Sequence, residues 1–371
     1  MRKIAAYILI AAVLGGGAIG GFLWQRERAL SDQVGQMILV GFRGMDAKDS
    51  EVRALAHEIR RGHVGGIILF NVDLTNNSGP RNIRDLTQVR ELNAYLQSAA
   101  RIPLFVSVDQ EGGAVNRLTP AAGFEITESA EQLGRENPGH TRAAAADLGR
   151  RMRTLGFNLD FAPSVDLAIN PDNPIIAKRG RAFGRDAATV IAHGRAFADG
   201  LNDADMLFAF KHFPGHGSAG GDTHAGLVDV TDVFQDTELD PYRALARTDM
   251  MGMVMVAHVF NRHIDPKFPA SLSRKTIDIL RRDIGYDGVV ITDGLSMGAI
   301  VQEFTQPEVI RHAIDAGADI LLMGDIDGEY VPNIAAKTHA TVMKMVHSGV
   351  ISRARVQQSY DRIMKLKEKI K

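Results

Sequence analysis

The sequence predicts one closed barrel of eight parallel strands ringed by helices, preceded by an N-terminal transmembrane or signal-anchor helix. Three observations predict it. Eight short runs rich in Val, Ile, Phe and Leu recur along the chain. Each is followed by Gly, Asn, Asp or His and then by a helical pattern, the alternation expected of repeated βα units. Polar residues suited to chemistry cluster where the runs end: Asn71, Asp109, Asp166, Lys211 with His212, His258, Asp293 and Asp325. In a (β/α)8 TIM barrel those ends share one rim, and that rim carries the active site.

The elements follow in order. Arg2 and Lys3 precede an uncharged stretch from Ile4 to Trp24, which is followed by Arg26, Glu27 and Arg28. Crossing a bilayer takes roughly 20 residues, whereas the apolar part of a cleaved signal has about 7 to 15, so residues 1–24 read as an uncleaved anchor. Ala18-Ile19-Gly20 offers the alternative of a cleavage site, and basic residues at both ends leave the orientation signal weak. Residues 25–31 form a short linker, and 32–371 one domain placed outside the cytoplasm, periplasmic or at the cell surface, or secreted if the segment is cleaved.

The strand runs are Met37 to Val40, Val64 to Phe70, Leu104 to Val108, Phe157 to Phe161, Met206 to Phe210, Met253 to Ala257, Gly288 to Thr292 and Ala318 to Met323. Amphipathic stretches between them include Ile83 to Ala99, Ala143 to Leu155, Ala187 to Asn202, Arg274 to Asp283 and Pro307 to Ala316. Strands apolar on both faces suit a sheet covered on both sides. A doubly wound open sheet is the alternative, but Gly41-Phe42-Arg43-Gly44 lacks the glycine spacing that fold carries after its first strand. From Ser352, Val356, Ile363 and Leu366 recur at helical spacing and read as a closing helix on the barrel exterior.

Composition removes whole classes of function. The 43 basic and 44 acidic residues are interspersed, so no field is offered to nucleic acid. With no cysteine, disulfides, thiolate metal sites and cysteine nucleophiles are excluded. Only 6% of residues are aromatic, and the single Trp24 belongs to the anchor. A long glycan cleft wants stacking platforms, so the scarcity favours a small pocket gripping one terminal sugar.

The stretch Lys211-His-Phe-Pro-Gly-His-Gly-Ser-Ala-Gly-Gly-Asp-Thr-His224 concentrates the chemistry. Five of its fourteen residues are Gly or Pro, and three histidines, a lysine and an aspartate stand among them. Asp222, two residues from His224, can orient and charge-balance the imidazole, equipping it to donate a proton and recover one; a local Asx-turn is the plainer reading. His212, His216, Asp222 and His224 would also supply zinc ligands, with His258 near. Pro214 and Gly215 keep the first two off one helical face. Asp293, behind four β-forming residues and before Gly294, is presented to the rim or else caps the next helix. Asp109-Gln-Glu111 with Arg117 offers bidentate partners for sugar hydroxyls or a surface salt-bridge cluster. Lys178 to Gly184 could be merely a basic loop.

Four separated motifs resemble glycoside hydrolase family 3, in particular its single-domain β-N-acetylglucosaminidases that act on peptidoglycan fragments. They are Asp109-Gln-Glu-Gly-Gly113 with Arg117, Arg181-Ala-Phe-Gly184, Lys211-His-Phe-Pro-Gly-His-Gly217 with Asp222-Thr-His224, and Thr292-Asp293-Gly-Leu-Ser-Met297. The resemblance implies a retaining exo-glycosidase that releases terminal β-linked N-acetylglucosamine, with Asp293 as nucleophile and His224, paired with Asp222, as general acid and base. It implies sugar contacts from Asp109, Arg117, Arg181, Lys211 and His212, and neither metal nor cofactor.

The chain departs from the family pattern at Ala114, where arginine is common, at Gly294, where an acidic residue is common, and in its apolar leader. The alternatives are a β-glucosidase or β-xylosidase of the same family, a metal-dependent hydrolase on the same barrel, and a glycan-binding tether without activity.

Overall fold

The computed structural model describes residues 24–73, 79–246, 252–324 and 330–370. All eight expected strands form: β1 (Ile38–Gly41), β2 (Gly66–Ile68), β3 (Phe105–Val108), β4 (Leu159–Asp160), β5 (Leu207–Phe213), β6 (Gly252–Val256), β7 (Val289–Thr292) and β8 (Leu321–Met323). From β1 to β7 each pairs in parallel with the next, and β8 pairs with β1 through Ile38 to Leu321, Leu39 to Leu322 and Val40 to Met323. A bridge between Ile291 and Ile320 joins β7 to the residues entering β8, so the sheet closes into a ring. The open-sheet alternative does not hold. Every residue of β1, β2, β3 and β7 is buried, as strands covered inside and out require.

The ring of helices is α1 (Ser50–Arg61), α2 (Leu86–Ser98), α3 (Pro138–Thr154), α4 (Ala187–Asp203), α5 (Asp240–Leu245), α6 (Arg274–Asp278), α7 (Gln306–Ala316), α8 (Ile334–His347) and α9 (Arg353–Lys367). Asp85, Asn137 and Asp186 start α2, α3 and α4 by accepting a backbone N–H three residues on. The expected helix from Arg274 to Asp283 is an α-turn passing into a π-turn over Ile279–Asp283.

Val356, Ile363 and Leu366 of α9 are buried on the barrel wall, as their spacing requires. The same helix also stoppers the end where the strands begin. Lys367 Nζ donates to Gln36 Oε1 at 2.7 Å and to the Gly65 and Pro103 carbonyls at 2.7 and 2.5 Å. A helix over residues 24–36 leads into β1 from below.

Two expectations lie outside the described residues: the anchor, apart from Trp24, and Asp325. Among the described residues no helix is long and apolar enough to cross a membrane.

Candidate active site

Strand β5 runs three residues further than its apolar run, to Phe213, and its register against β6 shifts between Phe210 and Phe213. Successive residues of a regular strand face opposite ways, but such an irregularity re-aims side chains. Lys211 and His212 consequently both line the cavity at the open mouth of the barrel. The peptide bonds Lys211-His212 and Phe213-Pro214 are cis.

Lys211 Nζ reaches Asp109 Oδ1 at 2.9 Å and Glu111 Oε1 at 2.6 Å. Arg181 grips the same Glu111 through Nε and a terminal nitrogen, both at 2.7 Å. Glu111, Arg181 and Lys211 are all buried, so the surface-cluster reading of Asp109 and Glu111 is corrected: they pair inside the barrel mouth. Burial pushes the Glu111 carboxyl up, and the cations of Arg181 and Lys211 reverse this and hold it well below its ordinary range. Burial pushes the Lys211 amine down, but Asp109 and Glu111 raise it beyond its ordinary value. Gly112 and Gly113, at φ 86° and 57°, make the turn that follows.

His212 is held at both ring nitrogens. Nδ1 lies 2.6 Å from Asp166 Oδ2, and Nε2 lies 3.2 Å from Arg181. Burial raises Asp166, and His212 brings it down to about 2. His258 is equally engaged, on Ser271 Oγ at 2.7 Å and the Gly294 carbonyl at 2.9 Å. Of the histidines weighed as zinc ligands, these two therefore have both nitrogens occupied. Among the described residues no three His, Asp or Glu are grouped as metal ligands would be.

Asp293 follows β7, and its backbone N–H donates to the Val256 carbonyl. Its Oδ1 accepts from Gly294 N at 2.7 Å. The helix-cap reading is corrected, because the one-turn helix that follows starts only at Gly298, after Met297. Burial raises the Asp293 carboxyl, and the imidazoles of His258, His212 and His224 together bring it below its ordinary value.

Asp222 Oδ1 accepts from the backbone N of His224 at 2.9 Å and sits 2.6 Å from its Nδ1. The Asx-turn and the aspartate–histidine pair are thus one arrangement, in which the turn brings the ring onto the carboxylate. Burial raises Asp222, and the His224 bond brings it to about 2. The pair is pinned toward Asp293: Gly298 N donates to the His224 carbonyl at 3.3 Å, and Ala299 N to that of Thr223 at 3.1 Å.

All eight expected residues, Asp109, Arg117, Arg181, Lys211, His212, Asp222, His224 and Asp293, line one cavity of about 270 Å³. Pockets that hold drug-sized ligands run from about 300 to 1,000 Å³, so this one, just below that range, has room for one sugar ring. Four further residues belong to the site. Glu111 ties Arg181 to Lys211, Asp166 fixes His212, and His216 and Arg179 line the wall. The motif around Asp109 contained Glu111, and the rim contained Asp166; a count of buried cations needing counter-charges would have drawn both out. Lys178 to Gly184 proves to be more than a basic loop, since Arg181 is buried while Lys178 pairs outside with Asp172.

The family model described as "Glycosyl hydrolase family 3 N terminal domain" matches residues 29–366. The chain is 38% identical over 300 residues to "Beta-hexosaminidase LpqI" of Mycobacterium tuberculosis, covering 78% of this chain and 72% of the relative. It is 30% identical to "Beta-hexosaminidase A" of Pseudoalteromonas piscicida, covering 92% of this chain and 61% of the relative. Among solved structures, a glycoside hydrolase family 3 β-N-acetylglucosaminidase from Paenibacillus sp. str. FPU-7 superposes with a TM-score of 0.81 at 36% identity, over 91% of this chain and 62% of that one. The solved LpqI of M. tuberculosis gives 0.77 at 34% identity, over 91% and 93%.

Proposed function

The chain belongs to glycosyl hydrolase family 3 and is a β-hexosaminidase, and from that premise we propose that it is a retaining exo-enzyme that removes terminal β-linked N-acetylglucosamine from cell-wall-derived sugars. The observation that carries this reading is the shared cavity. The Asp293 carboxylate, the His224 imidazole held by Asp222 and a set of charged hydrogen-bonding groups surround space for a single ring.

Each group has a task its surroundings suit. Asp293 is kept ionised, and Gly294 N occupies one carboxylate oxygen, so the other is left to attack the anomeric carbon. As that C–O bond breaks, His224 gives the leaving oxygen a proton from Nε2, because Nδ1 is turned to Asp222. Water then attacks the glycosyl–Asp293 ester and returns a proton to His224. Two displacements restore the starting configuration. The general acid of most retaining glycosidases is a carboxylic acid, and a histidine titrating near neutrality can serve the same exchange. Asp109, Arg117, Arg181, Lys211 and His212 hold the ring hydroxyls, which aligns the anomeric carbon with Asp293.

A cell-wall origin is supported by Arg179. It is exposed at the mouth beside Asp222, lowers that carboxyl, and has no hydrogen bond or ion pair among the described residues. A cation there faces the leaving sugar, and the sugar next to N-acetylglucosamine in peptidoglycan carries a carboxylate. The apolar leader supports work at the outer face of the membrane.

The test is to trap the intermediate with a slow fluorinated sugar substrate and locate the labelled peptide by mass spectrometry. The label is expected on Asp293, with turnover abolished in Asp293→Ala. Undiminished hydrolysis of an aryl N-acetylglucosaminide by that variant would defeat the assignment.

A further inference from the structure

The barrel end opposite the active mouth carries a surface that the glycosidase reading leaves unused. A groove there is lined by Trp24, Arg28, Arg60, Arg61, Arg101 and Met343. Trp24 is 60% exposed and lies under the Arg28 guanidinium, 5.3 Å from its ring centre. Beside it, Glu27 meets His347 at 2.6 Å and Arg353 at 3.8 Å. These two residues bracket Val350, another exposed large apolar side chain, at 47%. Five exposed arginines thus stand against three acidic residues: Glu27, Asp32, which pairs with Arg101 at 2.7 Å, and Glu58, which pairs with His63 at 2.6 Å and more distantly with Arg61 at 3.8 Å.

Two exposed apolar residues among arginines form the kind of surface that sits at a bilayer boundary. Tryptophan prefers the headgroup level, and arginines held near an anionic leaflet are attracted to its phosphates. The position agrees as well. The uncharged stretch from Ile4 ends at Trp24, so a chain leaving the membrane would emerge at this groove.

We propose that this end of the barrel docks on anionic phospholipid headgroups, with Trp24 and Val350 at the boundary and Arg28, Arg60, Arg61, Arg101 and Arg353 on the phosphates. This rests on the anchored reading of residues 1–24. Docking holds the barrel upright on the bilayer and points the cavity with Asp293 away from it.

The chain has no cysteine, so one introduced cysteine labels one site. Full-length Val350→Cys, carrying a fluorophore, is reconstituted in phosphatidylcholine vesicles with or without about one third phosphatidylglycerol. Nitroxide-headgroup lipid serves as quencher. Ile126→Cys, on the open-mouth side and 82% exposed, is labelled in parallel. Quenching is expected at position 350 in the anionic vesicles and not at 126.

Molar salt, which shortens the screening length to about 3 Å, should abolish it. The double variant Arg60→Glu with Arg61→Glu should reduce the ratio of docked to undocked protein by about thirtyfold or more. Three results would overturn the proposal: no quenching at 350 in anionic vesicles, equal quenching at 350 and 126, or quenching that ignores salt and rises with protein density, which would assign the face to a second copy of the chain. Hydrolysis of an aryl N-acetylglucosaminide in the same vesicles reports the enzyme separately.

Discussion

Replacing Asp222 by alanine tests the proton-transfer half of the mechanism. One carboxylate oxygen bonds both Nδ1 and the backbone N of His224, at 2.6 and 2.9 Å. The substitution therefore removes the ring's alignment and the local turn together. Positioned acid–base catalysis contributes about 10² to 10⁴-fold. The pair is partly open to solvent, at 41% and 30% side-chain exposure, which places the expected loss of kcat/KM near the low end. That is about 10²-fold, or roughly 3 kcal/mol of transition-state stabilisation, for leaving groups that need a proton.

Leaving groups that depart as stable anions should lose only about threefold. The assay is a series of N-acetylglucosaminides of graded leaving-group acidity, in which the variant's dependence on acidity becomes steeper. Asp222→Asn keeps an oxygen to accept from His224 N but lacks the charge, so it should fall between the two. A uniform loss across the series would show that Asp222 merely shapes the loop.

Other positions give sharper readings of structure. Glu111→Gln strips the buried cations Arg181 and Lys211 of their common counter-charge and should cost about 3–5 kcal/mol in chemical denaturation; unchanged stability would mean the pairs are not formed. A side chain at Gly298 would place its Cβ 2.5 Å from the His224 carbonyl, so Gly298→Val should push the pair away from Asp293 and lower kcat about tenfold or more while the fold stays intact by circular dichroism. Acid should weaken the fold before the carboxylates titrate. Burial lowers His216 and His339 from 6.5 to about 4, so each is neutral in the fold. The stability each adds is complete above pH 6.5 and is lost as pH falls toward about 4, on the order of 3 kcal/mol per histidine. Denaturation curves at neutral pH and near pH 4 check this, and a flat profile would contradict it.

The order of strands and helices was legible because each carries its own periodicity, and the runs named from sequence are the strands that formed. Their ends were less legible: the Met206 to Phe210 run continues to Phe213 because Lys211 bridges to Ser164 and Phe213 pairs with Val256 of β6, not because of apolarity. Asp109, Lys211, His212 and Asp293 were visible at the ends of apolar runs, Asp222 and His224 in the glycine-rich loop, Arg117 beyond the Asp109 motif and Arg181 only through the family resemblance, and the barrel gathers all eight into one cavity. Sequence could not show which of several plausible partners each would take. Asp166 sat on the expected rim, yet its role of fixing His212 exists only because β4 and β5 are neighbours.

By itself, then, the sequence determined the period of the fold, the apolar leader and the types of group available for chemistry, because spacing and side-chain type are local properties. Only the tertiary structure decided that Glu111 pairs with two cations, that both nitrogens of His212 and His258 are occupied, and that Trp24 shares a groove with Arg60 and Arg101. Each of these joins residues far apart in the chain, and ring closure sets which of them come within hydrogen-bonding distance.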